Sequence, residues 1–160
     1  MVENLVYVIY FLLVVPICNL SHEIGHGIGV VTTSSSHVHI YLGMKNKNNK
    51  ENFNLGRMHF HIQWSYIGFA YWSKDLNKRQ KAFALAGGPI MSLLLAVVFG
   101  YLSFIEYGDM LRQLFGWTAI YNAIQFLGTI IPMKYPRWMR SYYGFPSDGL
   151  QLIQVLKDKN

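Results

Sequence analysis

The chain has one cysteine among its 160 residues, so it can form no internal disulfide, and Cys18 lies in an apolar run where packing is its expected role. Charge is scarce as well: Asp, Glu, Lys and Arg make up 14% of residues, against 52% that are hydrophobic. The missing charge is missing in blocks. Leu5 to Leu20, Ala82 to Ile105 and Gln113 to Met133 carry none, and the last two, 24 and 21 residues long, exceed the ~20 residues a helix needs to cross a bilayer. The first block is shorter. Its leader, MVEN, lacks the basic cluster of a cleaved signal peptide, and no small-x-small site follows, so it reads as a helix continuing to about Val31 with a kink near Pro16. Repeats and low-complexity tracts are lacking too, apart from the short solvated turn KNKNNKEN.

The net charge of +6 comes without a basic stripe interleaved with aromatics, which argues against nucleic acid as a partner. Eight of the 14 Lys and Arg lie between Val31 and Ala82 and five follow Met133, leaving Arg112 alone in the connector. Spans at about 4–31, 82–105 and 113–133 would put both basic segments on one side. The positive-inside rule makes that side cytoplasmic and the N-terminus external. The chain is therefore expected to be a single-domain, multi-pass membrane protein, mainly α, with three core transmembrane helices, a strand-rich segment and a short C-terminal helix.

The strand-rich segment spans about 36–72. HVHIYLG alternates polar and apolar residues, as does the first half of GRMHFHIQWSYIGFAYW, and a polar turn lies between them. That pattern predicts a membrane-associated β-hairpin or small sheet. His37 and His39 share a face of one strand and His59 and His61 a face of the other. In-register pairing would gather four imidazoles as a second metal site, although such alternation ordinarily marks the polar face of a hairpin. The aromatics from Trp64 to Trp72, with Trp138, Tyr142 and Tyr143, are expected to be anchors at the membrane interface. Residues 146–158 should hold a short helix.

The chemistry concentrates in LSHEIGHG, at the end of the first span. His22 and His26 are four apart and project from one helical face, where both can bind one metal ion. Glu23, next to the first ligand, can reach a water on that metal without occupying a coordination position. Ionisable groups in a span are costly and functional by default. A catalytic zinc site usually takes three protein ligands. Glu106 and Asp109 would lie across the membrane, and Glu51 and Asp75 sit among Lys and Arg. Asp148 falls on the correct side, but Ser-Asp-Gly is also an ordinary turn sequence, so ligand and turn both stay open at this point.

His22-Glu23-Ile24-Gly25-His26 closing one span, Ala86-Gly87-Gly88-Pro89 opening the next and Pro146-Ser147-Asp148-Gly149 beyond a third resemble, in order, the three signature motifs of the site-2 protease family of intramembrane zinc metalloproteases. The resemblance implies one Zn2+ per chain, held by His22, His26 and Asp148, with Glu23 as catalytic acid/base. It also implies substrate contacts around Gly88, Pro89, Ser92 and Asn122, although Gly87-Gly88-Pro89 would serve close helix packing equally well. The chain departs from the family at Ser92 and at Gly128-Thr129, where the family often has Asn.

The expected activity is hydrolysis of peptide bonds in transmembrane or membrane-bound substrates within the lipid bilayer, with room for a regulatory membrane partner. An edge of the hairpin would hold the unwound substrate as an added strand, testable by Pro at Ile40 or Ile62. Two rivals keep the metal without the hydrolysis: a non-catalytic metal-binding scaffold, and a metal carrier that uses the HVH and HFH pairs.

Overall fold

Pro16 shapes the first helix. In the computed structural model, which describes residues 7–8, 10–105 and 108–158, a π-helical turn over Tyr10–Val14 leads directly into α1, Val15–Thr33. Proline lacks an N–H and its ring crowds the carbonyl four residues back, and the widened turn before it absorbs that mismatch. The start of the first expected span, residues 4–6, and Glu106 lie outside the described residues. At its far end the hydroxyls of Thr32, Thr33 and Ser34 bond back to the carbonyls of Ile28, Gly29 and Val30, and the chain leaves extended.

Helix α2 covers Lys78–Leu102 and starts ahead of the expected span because Asn77 and Gln80 form a capping box. Gln80 N–H donates to Asn77 Oδ1 (3.0 Å) and Asn77 N–H to Gln80 Oε1 (2.9 Å), satisfying two donors that a bare helix start leaves orphaned. Helix α3, Asp109–Ile130, a 3-10 segment at Arg137–Tyr142 and helix α4, Asp148–Lys157, complete the mostly helical chain.

Among the described residues, two helical stretches, Tyr10–Thr33 and Lys78–Leu102, are long and apolar enough to cross a membrane, not three. The third expected span lies largely in α3, where Gln113, Thr118, Asn122, Gln125 and Thr129 dilute the hydropathy. Helices α1 and α2 cross with their backbones almost touching. A Cβ on Gly25 would overlap the Gly87 carbonyl, and one on Gly29 the backbone of Phe83 and Ala84, so these positions need glycine for approach rather than for conformation.

The strand segment forms a four-stranded sheet of β1 (Val38–Leu42), β2 (Phe53–Leu55), β3 (Met58–Ile62) and β4 (Gly68–Trp72), in the order β2-β3-β1-β4. The expected hairpin between HVHIYLG and MHFHI does not form. Those strands pair in parallel, His39 opposite His59, and the hairpin is instead β2–β3, turned through Gly56 at φ 61°. The reason is that period-2 alternation fixes which face a side chain takes but not the direction of its neighbour, and β2 carries the chain back far enough to re-enter in parallel.

On the inner face Val38, Ile40 and Phe60 form one core with Val30, Leu76 and Ala84. The Arg57 guanidinium donates to the carbonyls of Val31 (2.6 Å) and Ser34, satisfying orphan acceptors at the end of α1 and tying the sheet to that helix. Ile40 and Ile62 lie on the two interior strands, so Pro there would break the sheet itself, and a test of strand addition belongs on an edge.

Candidate metal centre

His22 and His26 project one turn apart from α1 and are both buried. His26 donates its Nδ1–H to the Ala84 carbonyl (2.7 Å), which can only accept, so its Nε2 carries the lone pair. His22 Nδ1 lies 2.8 Å from Ser92 Oγ, and with that hydroxyl accepting, the Nε2 of His22 is bare as well. The two Nε2 atoms are 3.2 Å apart, and Asp148 Oδ2 stands 3.2 Å from the first and 3.4 Å from the second. Ligand bonds of about 2.0–2.1 Å in tetrahedral geometry separate donor atoms by roughly 3.3–3.4 Å. The triangle therefore has the size and the donor chemistry, two imidazoles and a carboxylate backed by hydrogen-bond partners, that could hold a divalent metal ion such as zinc.

Each motif residue around Asp148 has a physical task. Ser147, fully buried, caps α4 by accepting from Leu150 N–H (3.2 Å), and its hydroxyl also donates to the Ile131 carbonyl (2.7 Å) and accepts from Met133 N–H (3.1 Å), fastening α4 to the end of α3. Gly149 lies so close to the Ile130 carbonyl that no Cβ could fit. Asp148, first residue of α4, is thereby aimed at the histidines. Burial alone would raise its carboxyl, but the imidazoles of His26 and His22 outweigh burial and hold it well below the usual carboxylate range.

Beside the triangle is a cavity of about 500 Å³ lined by His22, Glu23, His26 and Asp148 at one end. Glu23 is buried and lies directly against β4, where Gly68 leaves room for the carboxylate that a Cβ would displace. Strand β4 is an edge strand. Gly43 N–H donates to the Ile67 carbonyl and Ser73 N–H to that of His37, so by alternation Gly68, Ala70 and Trp72 turn their N–H and C=O groups to the open side, toward the cavity. Tyr142 reaches in from the 3-10 segment, accepting from Gly68 N–H (2.9 Å) and donating to the Gly68 carbonyl (3.3 Å).

Gly88, Pro89, Ser92 and Asn122 are not among the residues that line the cavity; Gly88 and Ser92 lie against the histidines instead. A Cβ at Gly88 would sit between the imidazoles of His22 and His26, so this glycine makes the space the ligands occupy. Pro89, fully buried, interrupts the helical ladder next to the turn in which Ala84 offers its carbonyl to His26. Ser92 orients His22. Asn122 donates to Cys18 Sγ (3.2 Å) and to the Thr118 carbonyl (2.8 Å), joining α3 to α1. Gly128 and Thr129 do line the cavity.

The sequence reading missed Asn19, Tyr121 and Gln125. Asn19, three residues before His22, donates to the Tyr66 carbonyl (2.9 Å) and accepts at Oδ1 from Tyr121 (2.8 Å) and Gln125 (3.0 Å). Gln125 Oε1 is buried without a partner and belongs to a cavity-lining residue. The available signal was the spacing of Tyr121, Gln125 and Thr129, a polar stripe at four-residue intervals along an apolar helix. Of the aromatics expected as interface anchors, Trp72, Trp138 and Tyr142 also line the cavity. No protein-family model, curated protein or solved structure matches the chain.

Proposed function

We propose that this protein is an intramembrane zinc endopeptidase of the site-2 type, cutting transmembrane or membrane-bound peptides. The observation that carries the reading is the 3.2–3.4 Å triangle of His22, His26 and Asp148, with a buried Glu23 beside it and an open strand edge along the same cavity. A zinc ion there supplies Lewis acidity, lowering the pKa of water next to Glu23 and polarising a carbonyl. Glu23 takes the proton of that water and returns it to the leaving amine. The substrate, unwound so that its carbonyls are free, adds to β4 through Gly68, Ala70 and Trp72 and takes over the groups that Tyr142 now satisfies. The free Gln125 Oε1 accepts from a substrate amide.

The burial pattern supports a membrane setting. On α2 Ile90, Leu94 and Val97 face outward at 62, 54 and 62% exposure, and on α3 Ile120 and Leu127 do so at 59 and 52%. Past the exposed first turn and Gln113, the polar residues of α3 are satisfied within the protein: Thr118 and Thr129 bond to carbonyls on their own helix, and Gln125 to Asn19. A helix apolar outside and satisfied inside suits lipid despite its modest hydropathy, and α3 serves as the third span. Basic residues concentrated in the segment with the sheet and in the segment after α3 orient the active site toward the cytoplasm.

The test is Glu23→Gln in cells. Newly exposed N-termini within membrane segments are mapped in cells expressing the wild type and in cells expressing the variant, alongside zinc per purified chain. Wild-type-dependent cleavage sites that fall by about 10²-fold or more at equal zinc support the proposal. Identical maps with one zinc in each protein leave a metal-binding scaffold and sink the protease reading.

A further inference from the structure

The outer face of the sheet carries a second set of ligand-type side chains, opposite the apolar core. Because β1 and β3 run parallel and in register, His39 sits beside His59 with rings stacked at 4.8 Å, and His37 and His61 flank them, with ring centroids 5.1 Å from His59 and 5.3 Å from His39. Glu51, just before β2, reaches the same face. Its Oε2 is 3.1 Å from His59 Nδ1, and Asn54 donates to its Oε1 (3.2 Å). His39, Glu51 and His59 each offer a ligand atom, and the three atoms lie within 4.8 Å of one another.

Hydrogen bonding settles which ring nitrogens are free. The Asn49 carbonyl can only accept, so His61 donates Nδ1–H to it (3.2 Å) and keeps a lone pair on Nε2. That lone pair accepts from His39 Nδ1–H (3.1 Å), which leaves His39 Nε2 bare. In the second chain the Glu51 carboxylate accepts from His59 Nδ1–H, His59 Nε2 accepts from His37 Nδ1–H (2.8 Å), and His37 Nε2 is bare. His39 thus ends its chain with Nδ1–H committed and Nε2 bare, the arrangement that outer hydrogen bonds impose on metal-ligating histidines. A metal ion entering between His59 Nδ1 and Glu51 Oε2 instead takes the place of the proton they share, and His59 then donates its Nε2–H to His37 Nδ1.

We propose that His39, His59 and Glu51 bind a second divalent transition-metal ion, such as Zn2+, with His37 holding the ring of His59 at the latter's Nε2. Imidazole and carboxylate donors suit this metal class. Glu51 Oε2 and His59 Nδ1 already stand 3.1 Å apart, so the three ligand atoms, at most 4.8 Å from one another, need only a small closure to the roughly 3.3 Å of a tetrahedral site. A bound ion pins β1, β3 and the entry to β2 together. Through β1 it steadies β4, whose far edge borders the cavity.

The test uses the full chain, tag-free, in detergent micelles, with His22→Ala and His26→Ala so that the count is independent of the other cluster. It is equilibrated with Zn2+ alone and desalted, bound zinc is counted, and affinity is measured against a chelator. One zinc per chain is expected. Adding His39→Ala and His59→Ala should remove it, and adding only the exposed-site change Glu51→Gln should weaken it about tenfold or more. Equal zinc with and without His39 and His59, or an affinity within twofold in Glu51→Gln, overturns the proposal. The second comparison stays decisive even if the histidine variants misfold.

Discussion

Gly88→Ala separates the demands of the metal triangle from those of the helix that carries it. Glycine in a helix interior costs about 1 kcal/mol relative to alanine, so propensity alone makes the substitution stabilising. The geometry says otherwise. The new methyl would lie 2.6 Å from His22 Nε2 and closer still to His26 Nε2, and ordinary van der Waals contact begins at 3.4 Å, so the His22 imidazole must shift by about 0.8 Å and that of His26 by about 1.1 Å. Zinc ligands tolerate about 0.2 Å. A displacement several times that size in two of three ligands should weaken zinc by roughly 100-fold, about 2.7 kcal/mol. Gly116→Ala is the matched control: it lies inside α3, its Cβ meets nothing within 4 Å, and it should gain the helical increment and leave zinc binding unchanged. Zinc affinity by chelator competition and thermal unfolding in the same detergent read both quantities. If Gly88→Ala binds zinc within threefold of wild type, the imidazoles do not converge where the triangle puts them, and the assignment of this cluster as the metal site fails.

Two other substitutions probe the surroundings of the triangle. Ser92→Ala removes the partner of His22 Nδ1 at 2.8 Å and should weaken zinc by about 10–100-fold without altering the fold, as checked by the same competition assay and by circular dichroism. Tyr142→Phe frees the Gly68 N–H and carbonyl; with the shorter of the two bonds (2.9 Å) worth about 1 kcal/mol net and the longer (3.3 Å) little, KM for a cleaved peptide should fall about fivefold at unchanged kcat, and a rise in KM would show that Tyr142 supports the substrate rather than occupying its place.

What the sequence made legible was what short-range periodicity encodes. His22 and His26, four apart, had to share a helical face, whereas Asp148 was reached only through an assumed three crossings and the resemblance, and its carboxylate oxygen stands 3.2 and 3.4 Å from their Nε2 atoms. Pairing direction is not written in alternation, so His39 and His59 were correctly placed on one face while the strand between them, Phe53–Leu55, passed as part of a polar turn. Neither does hydropathy tell a helix that avoids lipid from one that turns its polar residues inward. Thr118, Asn122 and Gln125 lower the average of α3, yet each is held by a hydrogen bond inside the protein, and the Gln125 amide faces the cavity with one oxygen to spare. The feature that makes α3 a weak span by composition is the same one that makes it a polar wall for the cavity beside the metal cluster. Neutral amides escape a search for charged residues in apolar runs, and that is why Asn19 and Gln125 emerged only once the helices were packed together.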